Sequence, residues 1–410
     1  MADEKIVSDE RLYDYLRTYA KSIKLSAPKF HITEGTNKGD NYVSLVCRGT
    51  IEGITEDGEN KKIQLILKTT RTLDTGEILS SSSVTNLFQR EMFFYTEVLP
   101  IFKETLKDRG EIIDRFPILY NVSDESGKEI LILENLAPQG FVMAKSKILD
   151  YPHLRLALRY LGEFHAYSFI TRVANPTSFE KLKMKEHMFS QQLADNNSDD
   201  KKKDIEKYSK LLIELVFKAL ANENKHYSER YQRFVENMSQ NLYDSVDGKA
   251  VEPYAVVNHG DFWTNNMLFK YDKENNPYDL RFIDLQLSRY ASPALDLLYV
   301  LFCCCTQEIR SKYFDQVIHE YYETLSRYIE RAGYDPDILF PYEVLSEHLT
   351  KFGKYAAGMA TYTIHAFTSN DVEIKNTYDS DVLQDRIEND SFYRSMLIGT
   401  FKDLVDRNYI

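Results

Sequence analysis

The spacing of apolar residues changes character once along the chain, near Leu136, and that change limits the possible folds more than any other feature. Ahead of it, "NYVSLVCRGTIEGI" and "KKIQLILKTT" read as strands joined by "TEDGEN", whose Asp57 and Gly58 suit a tight hairpin turn. "VTNLFQREMFFYTEVLP" has a helical period and is expected to stop at Pro100. "FPILYNVSDESGKEILILENL" then reads as a second hairpin, and residues 10–24 as a short amphipathic helix. Beyond Leu136 the texture is helical. "YPHLRLALRYLGEFHAYSFI" carries apolar residues at 154, 157, 158, 161 and 164, and long helical patterns fill 204–242, 307–333, 340–368 and 380–407. The predicted fold class is α+β: an antiparallel sheet with a helix over 1–136, then a larger, mainly helical region over 137–410.

Composition removes several function classes. At 410 residues, 43% hydrophobic and 28% charged, the chain has material for a sizeable core. A formal charge of -12 lacks the basic footprint of a nucleic-acid binder. Three of the four cysteines are adjacent in "FCCCTQ", inside an apolar run, where they suit neither a disulfide framework nor spaced metal ligation; Cys303, Cys304 and Cys305 read as small core residues. The N-terminus is charged from its third residue, and "LLYVLFCCC" is too short to span a bilayer, so no membrane association and a cytoplasmic location are expected.

The chemistry concentrates in "VVNHGDFWTNNMLFKYD", which holds the only tryptophan. Within it, His259-Gly260-Asp261 is followed five residues after the acid by Asn266. Kinase-type phosphoryl transfer uses such a spacing: an Asp that takes the proton of the attacking hydroxyl and an Asn amide oxygen for Mg²⁺. Asp and Asn are also ordinary turn formers. The next segment favours the chemical reading, because a hairpin from "MLFKYD" to "LRFID" returns Asp284 to the loop as a second oxygen ligand for magnesium.

Upstream, Lys68 ends an apolar strand and Glu91 lies on the stripe of Leu87, Phe94, Tyr95 and Val98. A carboxylate on an apolar face is costly unless a cation meets it. Lys68 is the candidate, and such a pair positions the ammonium on the α- and β-phosphates of ATP. The alternative is a surface lysine and a glutamate at the stripe's edge. Gly35 and Gly39 precede a strand, and backbone N–H groups around Gly39 and Asn41 offer a phosphate cradle or a plain turn. "LILENLAPQGF" resembles a hinge, with backbone groups from Glu134 to Leu136 placed for an adenine edge.

"NHGDFWTNNMLFKYD", "RFIDLQLSRYASPALDLLYVL", "LFQREMFFYTEVLP" and "LILENL" strongly resemble the insect ecdysteroid kinase-like proteins, relatives of aminoglycoside and choline kinases with a two-lobed, protein-kinase-like fold. The resemblance spans about residues 35–370. It implies an ATP-binding lobe with hinge over 1–136 and a helical lobe with catalytic loop and acceptor site over 137–410. It further implies ATP-dependent phosphorylation of a hydroxyl on a small molecule, with ecdysteroids as precedent. Asp261 resembles the catalytic base, Asn266 and Asp284 the Mg²⁺ ligands, and Lys68 with Glu91 the ATP-positioning pair. Asp296 is similar to the acid that braces the catalytic loop. His259 likewise looks structural, and His165 is read as a satisfied core histidine.

Departures from the protein-kinase pattern matter too. No glycine follows Asp284 and no substrate-docking segment follows it, which argues against a protein substrate. Trp263 stands where protein kinases often carry a lysine. Its indole suits one wall of a site for a bulky apolar alcohol, or equally the interior of the helical region. Two rival functions stand beside the first. One is a choline- or ethanolamine-type kinase, for which 29 tyrosines supply aromatic surface. The other is a non-catalytic binding protein, against which Asp261, Asn266, Asp284 and Lys68 all speak.

Overall fold

The structure is a computed structural model that describes residues 7, 9–35, 44–70, 82–107, 109, 112–125, 129–183, 199–369 and 379–410. It divides into two compact units, Met1–Tyr95 with Phe116–Val142, and Thr96–Arg115 with Met143–Ile410.

The first unit is built on five strands: β1 (Ser26–Glu34), β2 (Ser44–Ile54), β3 (Asn60–Thr70), β4 (Leu119–Ser123) and β5 (Ile130–Glu134). They pair antiparallel in the order β1-β2-β3-β5-β4. Strand period two sorts the side chains to two faces. Cys47, Ile51, Ile63, Leu65, Leu67, Ile130 and Ile132 share one core with Leu12, Leu16, Tyr19 and Ala20 of α1 (Glu10–Ser22). The i, i+4, i+7, i+8 spacing gives α1 its single apolar stripe, and Asp9 caps its start by accepting from the Arg11 N–H. Strand β1 was not expected. Four of its first five residues are exposed and only Ile32 and Thr33 are buried, so it carries no alternation to detect.

Helix α2 (Ser82–Phe93) does not end at Pro100. A π-helical turn, Phe94–Val98, leads directly into α3 (Leu99–Lys107). Pro100 therefore sits inside a continuous helical run, directly after the π turn, and the wider turn before it absorbs the change of register.

The second unit is mainly helical, as expected. Its axis is α4 (Tyr151–Ala174), buried over most of its length. The other long elements are α5 (Asp199–Leu220), α6 (Lys225–Val235), α7 (Met238–Ser245), α8 (Ala294–Cys303), α9 (Gln307–Arg331), α10 (Tyr342–Lys351), α11 (Gly353–Phe367), α12 (Ser380–Asn389) and α13 (Ser391–Asp406). Helices α4 and α9 pack closely because Gly162 faces Tyr321; a Cβ there would lie 2.5 Å from the Tyr321 carbonyl oxygen. The expected run at 340–368 is two helices that break at Phe352, and 204–242 is divided among three. Helix α8 is buried at every position, and Cys303, Cys304 and Cys305 at its end are fully buried core residues. No helix among the described residues is long and apolar enough to cross a membrane.

Candidate functional site

Two nested strand pairs build the loop region of the second unit. Strand β6 (Val256–Asn258) pairs with β9 (Arg289–Ala291), and between them β7 (Met267–Tyr271) pairs with β8 (Pro277–Phe282). Nesting forces the connection at 259–266 to run beside the connection at 283–288. The Ile283 N–H donates to the Asn266 carbonyl at 3.0 Å, and the His259 ring meets the Ile283 carbonyl at 3.0 Å. Asp261, Asn266 and Asp284 are thereby gathered from two loops.

The first loop is held from behind by α8. Asp296, in the first turn of that helix, accepts the backbone N–H of His259 at 2.7 Å and of Gly260 at 2.9 Å. The His165 ring reaches the same carboxylate at 3.3 Å and the Tyr321 hydroxyl at 2.8 Å, so His165 is a satisfied core residue. Burial pushes the Asp296 carboxyl up, but the His165 contact and the Gly260 N–H outweigh it and hold it below the usual carboxylate range. Gly260 has φ +84°, and a Cβ there would sit 1.8 Å from the Leu287 carbonyl oxygen, so no other residue fits. His259 is fully buried with its pKa lowered by burial. Its Nε2 donates to the Ile283 carbonyl while Nδ1 faces the Asp261 N–H at 3.4 Å, which is the neutral, loop-holding role.

Asp261 is gripped at both carboxylate oxygens. Asn266 Nδ2 donates to Oδ2 at 2.9 Å and to the Asp261 carbonyl at 2.9 Å, and the Tyr299 hydroxyl donates to Oδ1 at 3.2 Å. Loss of water, and then the charge of Asp284, push the Asp261 carboxyl up to about 6 against the pull of Asn266, Tyr299 and Arg289. Asp284 adopts φ +63°, a left-handed conformation that Asp tolerates better than most residues and that is characteristic of functional turns.

The donor set suits a hard divalent cation. Asn266 spends its amide nitrogen on Asp261, leaving Oδ1 without a protein donor among the described residues. The Asp261 carboxylate lies beside it, and the charge of Asp284 is near enough to act on Asp261. Among the described residues no cluster of three or more His, Cys, Asp and Glu side chains is arranged for a metal; carboxylate and carboxamide oxygens are the alternative.

Trp263 is half-buried, with its indole stacked on Phe367 at 4.2 Å and 8° between planes. One face of the ring is packed, and part of the ring stays accessible. Tyr299 escaped the sequence reading. Its signal lay in "ALDLLYVL", where it follows Asp296 by three residues and so shares that helix face.

Within the first unit, Lys68 Nζ meets Glu91 Oε2 at 2.6 Å, with the two residues 6% and 1% exposed. The lysine is on the sheet face opposite α1, where α2 supplies the carboxylate. Glu134 closes β5, accepting from the Ile118 N–H and from Gln139 Nε2, and the buried Leu136 begins the turn that follows. Gly39 and Asn41 lie outside the described residues. Gly35 is a strand-end residue whose N–H donates to the Val46 carbonyl.

A sheet unit with a buried lysine–glutamate pair, and a helical unit with a carboxylate–carboxamide loop, belong to the small-molecule kinases. The chain is a member of the ecdysteroid kinase-like family, whose model matches residues 38–334. Solved structures similar to it include the GDP complex of wild-type aminoglycoside 2'-phosphotransferase-IIIa, at 10% identity and TM-score 0.37, covering 94% of this chain and 100% of that one. The GDP complex of a point mutant of that enzyme has the same identity and TM-score, covering 93% and 99%. No match was found among curated proteins.

Proposed function

We propose that this protein transfers the γ-phosphoryl group of ATP to a hydroxyl of a small, bulky and mainly apolar alcohol, an ecdysteroid-like steroid or a xenobiotic. The observation that carries the proposal is the convergence of Asp261, Asn266 and Asp284 from two adjacent loops. Asp261 orients the acceptor hydroxyl and takes its proton as the oxygen bonds to the γ-phosphorus and the bond to the bridging oxygen of ADP breaks. Asn266 and Asp284 would hold Mg²⁺, which when bound neutralises phosphate charge. Lys68, kept in place by Glu91, would meet the α- and β-phosphates, and backbone groups at Glu134 and Leu136 the adenine. His259 and Asp296 keep the loop in shape. Positioning and fixed charges supply the acceleration, since this transfer needs little covalent help.

The aromatic pair Trp263 and Phe367 supports the apolar acceptor. Such faces also suit a quaternary ammonium, which keeps choline in the test. The experiment is ADP release from purified protein with magnesium ATP and a panel of hydroxylated steroids, plant alcohols and choline. Asp261→Asn is expected to abolish turnover while ATP still binds. Normal turnover in that variant removes the base assignment, and preference for choline replaces the acceptor class.

A further inference from the structure

Asp261 is held by more than its own loop. From the geometry we infer that Tyr299 is a positioning residue for phosphoryl transfer, fixing the plane of the Asp261 carboxylate through its hydroxyl; this rests on the function proposed above. Asn266 restrains only Oδ2, and a single hydrogen bond leaves the carboxylate room to swing around that oxygen. The Tyr299 hydroxyl at 3.2 Å from Oδ1 supplies the second restraint, and the two held oxygens together with Cγ define the plane.

The restraint is itself well anchored. Tyr299 is 3% exposed, on a helix buried at every position, with its ring 6.0 Å from Phe367. It follows Asp296 by one turn, so a single rigid element grips the loop twice: Asp296 by the backbone N–H groups of His259 and Gly260, Tyr299 by the acid that follows them. The phenol is neutral, so it orients the carboxylate without cancelling the charge needed to receive a proton. A cation two residues after the acid would restrain it differently, and here that place holds Trp263. Misplacing a reacting group by about 1 Å costs on the order of 100-fold in rate; freeing one torsion of Asp261 costs part of that.

The test is Tyr299→Phe, which removes the hydroxyl and keeps the packed ring. ADP release from magnesium ATP is followed with ecdysone as acceptor and with water alone, beside wild type and Asp261→Asn. ATP affinity is measured by calorimetry and stability by thermal melting. The expected result is kcat lower by about 10-fold or more, KM and affinity for ATP within about twofold of wild type, and an unchanged melting midpoint. Wild-type kcat in Tyr299→Phe, with Asp261→Asn inactive, overturns this inference and leaves the proposed function standing. A fall in kcat together with weakened ATP binding or a lowered melting midpoint assigns Tyr299 to packing and also overturns it. Turnover retained by Asp261→Asn removes the base assignment and this inference with it, and no ADP release from wild type with any acceptor of the panel above overturns the proposed function and this inference together.

Discussion

Replacing Lys68 by methionine would remove the cation that Glu91 meets. The two groups meet at 2.6 Å with the carboxylate 1% exposed, so water cannot take the lysine's place. Removing one partner of a buried pair costs about 3–5 kcal/mol, most of it the penalty of the charge left behind. At roughly 4 °C per kcal/mol for a unit of this size, the first unit's melting midpoint should fall by about 12–20 °C. The double variant Lys68→Met/Glu91→Leu removes both charges and fills the space with apolar atoms, and should recover most of the loss. ATP affinity should be weak in both variants, since neither has the ammonium. Thermal melting and calorimetric ATP titration of the three proteins decide the matter. A single variant as stable as wild type, or a double variant no more stable than the single, would refute the pairing argument.

Gly260→Ala should lower kcat by about 100-fold or more, because its Cβ would collide with the Leu287 carbonyl and the loop carrying Asp261 must move; steady-state ADP release measures it. All four thiols should resist a thiol-reactive dye in the folded protein and react only on unfolding. Cys47, Cys303, Cys304 and Cys305 are all buried, and burial pushes the thiols up, to about 11 for Cys47 and about 12 for Cys304. A fast-reacting thiol at neutral pH would contradict the core assignment.

What could be read ahead of the structure was local. The hairpin of β2 and β3 announces itself through alternation and an Asp-Gly turn, and α4 through spacing, because these patterns sit inside one element. Strand β1 failed that test because an edge strand with few buried side chains needs no alternation. Pro100 misled because its effect depends on the π turn before it, which residue type alone does not specify. Around the loop, the five-residue step from Asp261 to Asn266 was visible. The contact of Tyr299 with Asp261, 38 residues away, depends on how α8 packs behind the loop. Packing between distant elements leaves its trace in helix faces, and here that trace was the i, i+3 relation of Asp296 and Tyr299.

That relation bears on how such a protein can change its acceptor. Asp296 sits in the first turn of α8, where a carboxylate is favoured by the helix dipole and also satisfies two loop N–H groups. The groups that keep Asp261 in place are therefore carried by a core helix, whose packing fixes their positions. Trp263 differs: it is half-buried and held mainly by stacking on Phe367, at the end of α11. Exchanging one flat side chain for another there disturbs no buried hydrogen bond. On the function proposed above, acceptor preference would drift through Trp263 and Phe367 while Asp296 and Tyr299 hold the transfer chemistry constant, because the two pairs answer to different forces, ring contact in one case and buried polar satisfaction in the other.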